Sequence, residues 1–198
     1  MYKTTILKLE SKLNYKLKQN FCSIGWDIAE KCGISIVKTN NKNVEIDWVL
    51  LEFDKKNIKE VYKQLTNESL KFLKENFNIC IIEDTYLKWF GKFPQVDVLK
   101  KLSRFGGIVL ANAINNNVNF EIIGATQSRS KFNIKTTGYG RGNSKQGVID
   151  WIKNTLEIDL IEDNCCDAIV LGLIGVCDGI DFRSKKEISK STKRKKKK

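Results

Sequence analysis

The run ICIIE, residues 79–83, is apolar throughout until its last residue. Successive side chains of a strand face opposite ways, so a strand with no polar face has to be covered on both, as parallel strands between helix layers are. That one run calls for helices packed on both faces of a sheet. From Phe21 the residues alternate, with Cys22, Ile24, Trp26 and Ile28 on one strand face and Ser23, Gly25 and Asp27 on the other. Strand patterns follow at 33–39 (GISIVKT) and 44–53 (VEIDWVLLEF), joined by the turn-rich NNKN, which makes a three-stranded antiparallel meander. Helical spacing then runs through Ile58, Val61, Tyr62, Leu65, Leu70, Leu73 and Phe77. A second helix is expected over residues 96–113, a strand at 120–126 (FEIIGAT), a polar Gly-rich loop at 128–145, and a helix through Val148, Trp151 and Ile152. The stretch DNCCDAIVLGLIGVCDGI reads as a buried final helix with Asp163 as its N-cap. The order βββαβαβαα predicts an α/β fold whose five-stranded mixed sheet is antiparallel first and parallel after, flanked by helices.

A chain of 198 residues suits one domain. No apolar run is long enough to span a bilayer, and the first twenty residues lack a signal-peptide core, so a soluble, intracellular protein with no membrane partner is expected. The six cysteines, at 22, 32, 80, 165, 166 and 177, fall mostly in apolar segments with no CxxC pair; they read as reduced core thiols. Histidine is absent, which excludes Ser-His and Cys-His nucleophile schemes and imidazole metal ligands together. The net charge of +12 is unevenly placed. Residues 1–20 carry five lysines against Glu10, and residues 183–198 carry ten basic residues against Glu187. Residues 86–147 hold ten more against Asp97 and Glu121. The division predicted is a basic N-terminal extension (1–20), a folded domain (21–182) and a flexible lysine-rich tail (183–198). Basic ends and a basic internal stretch fit a polyanion such as nucleic acid; a solubilising or nuclear-targeting tail is the plainer account of KRKKKK.

Three acidic spots interrupt apolar elements. Asp27 lies on the first strand, Glu83 ends the buried strand with Asp84 next to it, and Asp167 falls within the final helix, one turn after Asp163. Singly, each has an ordinary account: a lysine partner for Asp27, a strand-end acid for Glu83, a helix cap for Asp163. Parallel strands with crossover helices bring such positions to one sheet edge. Carboxylates gathered there without histidine repel one another unless a cation neutralises them, and hard oxygen ligands suit Mg²⁺ or Mn²⁺. Two such ions can clamp a scissile phosphate.

SIGWDIAEKCG (23–33), ICIIEDTY (79–86) and DNCCDAIVLG (163–172) resemble the acidic motifs of the RuvC-type Holliday junction resolvases, within the RNase H-like superfamily. VLKKLSRFGGIVLANA is similar to the family's dimer-forming helix, and FEIIGATQSRSKFNIKTTGYGRGNSKQGV to its strand-then-lysine segment. The resemblance spans roughly residues 21–178. It implies that Asp27, Glu83 and Asp167 are metal-binding catalytic carboxylates, with Mg²⁺, replaceable by Mn²⁺, as two ions per site. The family offers one more ligand a turn before the last Asp; that position is Asn164 here, with Asp163 beside it. Lys131 and Lys145 match two basic positions that contact phosphate near the cleavage point, where a fixed ammonium can stabilise developing charge, and Lys145 is counted with the catalytic residues. Tyr86 matches an aromatic that stacks at the junction centre, and partial burial at the sheet edge is its plainer role. Arg129 and Arg141, in the same basic segment, join the DNA-contacting candidates. The partners implied are four-way branched DNA and a second copy of the chain, because paired nicks on a two-fold junction need two symmetric sites.

The loop GYGRGNSK (138–145) is no P-loop: its lysine is not followed by Ser or Thr and no strand immediately precedes its glycines. It reads as a flexible basic loop near the DNA backbone, with no nucleotide cofactor. Flap or fork DNA is an alternative substrate for the same site, and a non-catalytic branched-DNA binder is the alternative from a different class. An actin-like ATPase would need phosphate-binding glycine turns that are not found. Abundant Lys, Asn and Ile fit an AT-rich genome, viral or organellar, and leave cytoplasm, nucleus and organelle equally open.

Overall fold

A computed structural model describes residues 1–53, 57–74, 76–84, 96–135 and 141–182, for 96–99 and 141–144 the backbone alone. The chain starts with β1 (Tyr2–Thr5) and α1 (Ile6–Leu13). It continues through the meander β2 (Phe21–Asp27), β3 (Lys31–Thr39) and β4 (Asn43–Glu52), then α2 (Ile58–Leu73), β5 (Ile79–Asp84), α3 (Val96–Asn115), β6 (Phe120–Gly124), α4 (Ala125–Lys131), α5 (Arg141–Leu156) and α6 (Asp163–Val176). The strands form one sheet in the order β1-β4-β3-β2-β5-β6. Pairing is antiparallel from β1 to β2 and parallel from β2 to β6. The mixed sheet expected from sequence is therefore present, with six strands instead of five.

The sixth strand comes from the first twenty residues, which are not a loose extension. β1 pairs with β4 in the register Tyr2↔Ile46, and Ile6, Leu9, Leu13 and Leu17 are buried in the core. Ile6, Leu9 and Leu13 form one apolar stripe on α1, and the five lysines of the segment, Lys8 and Lys12 on the helix among them, hid it from a reading by net charge. Two further boundaries differ. Residues 128–131 and 141–145, expected within a loop, are helical, and Ala125 and Thr126, expected to end a strand, open the helix α4 instead. Asp163 is the first helical residue of α6 and not its cap: Glu162 is the N-cap, and it makes no side-chain capping bond. The tail 183–198 lies outside the described residues.

Two apolar layers fill the space on either side of the sheet. Ile24, Trp26, Ile34, Cys80 and Ile82 pack against α2 and α3, with Leu65, Leu73, Phe105 and Val109 among the partners. On the other side Val37, Ile46, Ile81 and Ile123 meet α1, α5 and α6. β5 is thus apolar on both faces because it is covered on both. Every residue of α6 from Cys165 to Val176 is buried. Among the described residues the six cysteines form no disulfide, and five of them are buried, as core thiols should be. No helix among the described residues is long and apolar enough to cross a membrane.

Candidate active site

Alternation along β2 turns Ile24 and Trp26 to one layer and Ser23, Gly25 and Asp27 to the other, where α6 lies. That second face is lined with small residues, so the helix comes down close. A Cβ on Gly25 would strike the backbone at Ala168 and Gly172, and one on Gly33 would strike the backbone of Asn164. The buried hydroxyls of Ser23 and Ser35 donate to the carbonyls of Gly172 (2.8 Å) and Ala168 (2.6 Å). Glycine at the contacts and serine as the polar link fix both the height and the rotation of α6. Asp167, the only charged residue in its buried stretch, is thereby carried toward the end of β2.

The sheet register supplies the other two acids. β2 and β5 run parallel with Trp26 opposite Ile82, so Asp27 and Glu83 stand side by side on strands about 4.8 Å apart. Their carboxyls lie close enough to interact directly, and burial works against both being charged at once. Asp27 is 5% exposed. Burial first, then the charges of Glu83 and Asp167, hold its carboxyl well above the usual carboxylate range. Glu83 keeps one edge toward solvent, yet burial is also the main cause that pushes it up to about 7, with Asp167 adding to the rise. The three residues that the sequence singled out are brought to one edge of the sheet.

Asp167 is held by a cation from the neighbouring helix. Arg129 donates through Nε to Oδ1 at 3.0 Å and through Nη2 to Oδ2 at 2.6 Å, a bidentate pairing with both side chains almost wholly buried. Asp163, one turn earlier, is ion-paired with Lys145 from α5. Asn164 donates to Glu162 at 3.3 Å, with its backbone pressed against Gly33. Lys131 donates to the carbonyl of Asp181. Arg129, expected to lie on DNA, is thus engaged inside the acidic site, and Lys131 with the chain beyond α6. Tyr86 and the side chain of Arg141 lie outside the described residues. What the sequence reading missed is Arg129's partner. The signal was faint: a lone arginine in a short polar helix that starts directly after β6.

Among the described residues, no three acidic or thiol side chains stand ready as a metal cage. Arg129 occupies both oxygens of Asp167, and the carboxyls of Asp27 and Glu83 interact with one another. The chemistry of the donor set still suits a hard divalent cation: three carboxylates from separate elements, two of them held protonation-prone by burial and repulsion that a cation would relieve.

No protein-family model matches the chain, and no curated protein sequence matches it. Solved structures do. The structure of Thermus thermophilus RuvC in complex with Holliday junction substrate aligns with a TM-score of 0.59 at 15% identity, over 77% of this chain and 91% of that one. A second Thermus thermophilus RuvC structure aligns with a TM-score of 0.57 at 15% identity, over 77% and 92%. The yeast mitochondrial Holliday junction resolvase Ydc2 aligns more loosely, with a TM-score of 0.46 at 12% identity, over 83% of this chain and 81% of that one. Layered α/β architecture and fold likeness agree, and the chain has the RuvC-type resolvase fold.

Proposed function

We propose that this protein is a structure-specific DNA endonuclease that cuts branched DNA, four-way junctions foremost, by metal-dependent phosphodiester hydrolysis. The observation that carries the reading is the meeting of Asp27, Glu83 and Asp167, from two parallel strands and a helix, at one sheet edge of a RuvC-type fold. In this reading those three carboxylates hold Mg²⁺, with Mn²⁺ able to replace it, and Asp163 or the Asn164 carbonyl completes the set. When bound, divalent cations activate water and stabilise charge on the scissile phosphate. The chain's own contributions are positional. The α6–sheet contact through Gly25, Gly33, Ser23 and Ser35 fixes Asp167 relative to Asp27. Lys145 stands at the opening of α6, where its ammonium can pass from Asp163 to a phosphate oxygen and balance developing negative charge. The lysine-rich segments at both ends and at 86–147 supply the sequence-independent grip on the DNA backbone. Two copies of the chain would place two such sites on a two-fold junction.

The test is cleavage of an end-labelled four-way junction with Mg²⁺, beside flap and fork substrates. Wild type that nicks the junction, with an Asp27→Asn variant that binds it but leaves it whole, is the expected result. Binding without cleavage by both proteins would make the chain a branched-DNA binder instead. Cleavage of flaps or forks in preference to junctions would keep the chemistry and change the substrate.

A further inference from the structure

We propose that Arg129 is the built-in counter-cation of this site: its guanidinium holds Asp167 when no divalent ion is present and competes with that ion for the same two oxygens. The inference rests on the nuclease reading above and concerns how its metal site is kept when empty of metal.

Four observations carry it. Arg129 and Asp167 have side chains only 13% and 10% exposed, and charges withdrawn that far from water persist only when paired. The pairing uses both carboxylate oxygens, the atoms through which Asp167 would reach a metal. The guanidinium also interacts with the charges of Glu83 and Asp27, so it answers the whole cluster and not one residue. Finally, the other nearby basic candidates have different partners: Lys145 bonds to Asp163 and Lys131 to the Asp181 carbonyl.

The position of Arg129 follows from the topology. β6 ends at Gly124 opposite Asp84, the residue after Glu83, and α4 begins at once. The second turn of α4 therefore lies over the sheet edge that carries the acids. A guanidinium forked onto one carboxylate leaves it few lone pairs to give, and a divalent cation arriving beside it meets like charge. Metal entry and the Arg129–Asp167 pairing are then alternatives. A plain structural brace would have the opposite effect: a second-sphere group that orients a ligand helps the metal, and its loss weakens binding.

The experiment measures Mn²⁺ affinity by calorimetric titration, and thermal unfolding without and with Mn²⁺, on wild type, Arg129→Gln, Arg129→Lys and Asp27→Asn. Arg129→Gln should bind Mn²⁺ roughly tenfold tighter than wild type. It should also melt lower in chelator and regain more on Mn²⁺ addition than wild type does. Arg129→Lys keeps the charge without the planar fork and should fall between the two; it decides the matter alone if Arg129→Gln fails to fold. Equal or weaker Mn²⁺ binding by the folded variants overturns the counter-cation, and if wild-type uptake is still abolished by Asp27→Asn the nuclease reading stands without it. Absence of Mn²⁺ uptake in every protein, wild type included, overturns both.

Discussion

The two faces of β2 are made from the same seven residues and do opposite work. Ile24 and Trp26 face α2 and α3, where they are wholly buried among leucines and phenylalanines, and Trp26 meets Phe72 edge to face at 6.1 Å. Ser23, Gly25 and Asp27 face α6, where side chains are small and the contacts are between backbones and hydroxyls. One face stabilises by filling volume. The other gives up apolar area to let a helix approach and to bring carboxylates together. The lesson is that alternation along one strand can separate stability from chemistry at the spacing of one residue.

Substitutions at adjacent positions should cross over. Trp26→Ala empties the largest buried side chain of its layer and is expected to cost about 4 kcal/mol in denaturant unfolding. Divalent uptake per folded molecule should be unchanged. Asp27→Asn should do the reverse. Loss of several kcal/mol of transition-state stabilisation corresponds to about 10³-fold in cleavage, while the metal-free protein, relieved of a buried acid, should unfold no more easily than wild type. A Trp26→Ala protein that folds well yet fails to take up metal would erase the division between the faces.

Next in size is a pH dependence confined to the acidic face. Glu83 ionises near 7 in the folded protein and Asp27 is raised too, both mainly by burial. Unfolded, both acids lose their protons near their ordinary values. The folded state therefore holds more protons between about pH 4 and pH 7. Stability of the metal-free protein should be full below that window and decline as pH rises through it, by on the order of a few kcal/mol. Chemical denaturation at a series of pH values checks this. Saturating Mg²⁺ should flatten the profile, and Asp27→Asn should remove the share that Asp27 itself contributes. A flat profile in the metal-free wild type would mean that the acids are not held as deeply buried and as close together as the structure places them.

How much of this was legible in the chain depends on the range of the forces involved. Periodicity exposed the meander, β5, the long helices and the buried α6, because burial repeats along the sequence. Asp27, Glu83 and Asp167 stood out for the same reason in reverse, as charges where the pattern required apolar residues. The N-terminal twenty residues were misread because five lysines dominated the charge count and hid the buried set Ile6, Leu9, Leu13 and Leu17. The helix α4 was missed because seven residues, ATQSRSK, carry no amphipathic signal. Arg129 could not be assigned its partner, since a buried ion pair 38 positions apart leaves no local trace in either segment.

Gly25→Ala tests the tight contact itself. Its added methyl has backbone on the far side, at Ala168 and Gly172, and backbone cannot swing away as a side chain would. A loss of about 2 kcal/mol is expected, with α6 displaced outward and cleavage reduced further than stability explains, because Asp167 moves with the helix.

Ser35→Ala is the smallest change and the sharpest probe of the same contact. The hydroxyl donates to the Ala168 carbonyl at 2.6 Å, and Ala168 is the residue after Asp167. Removing one buried neutral hydrogen bond should cost about 1 kcal/mol, and the alanine methyl fits where the serine Cβ already is. If α6 is held chiefly by shape, cleavage should stay near the wild-type rate. If the serine sets the rotation of the helix, the Asp167 carboxyl swings and cleavage falls by about tenfold while unfolding moves little. Paired rates of junction cleavage and unfolding for Ser35→Ala and Ser23→Ala separate the two. Ser23 bonds one turn further along, at Gly172, so its loss should leave the carboxylate end of the helix in place.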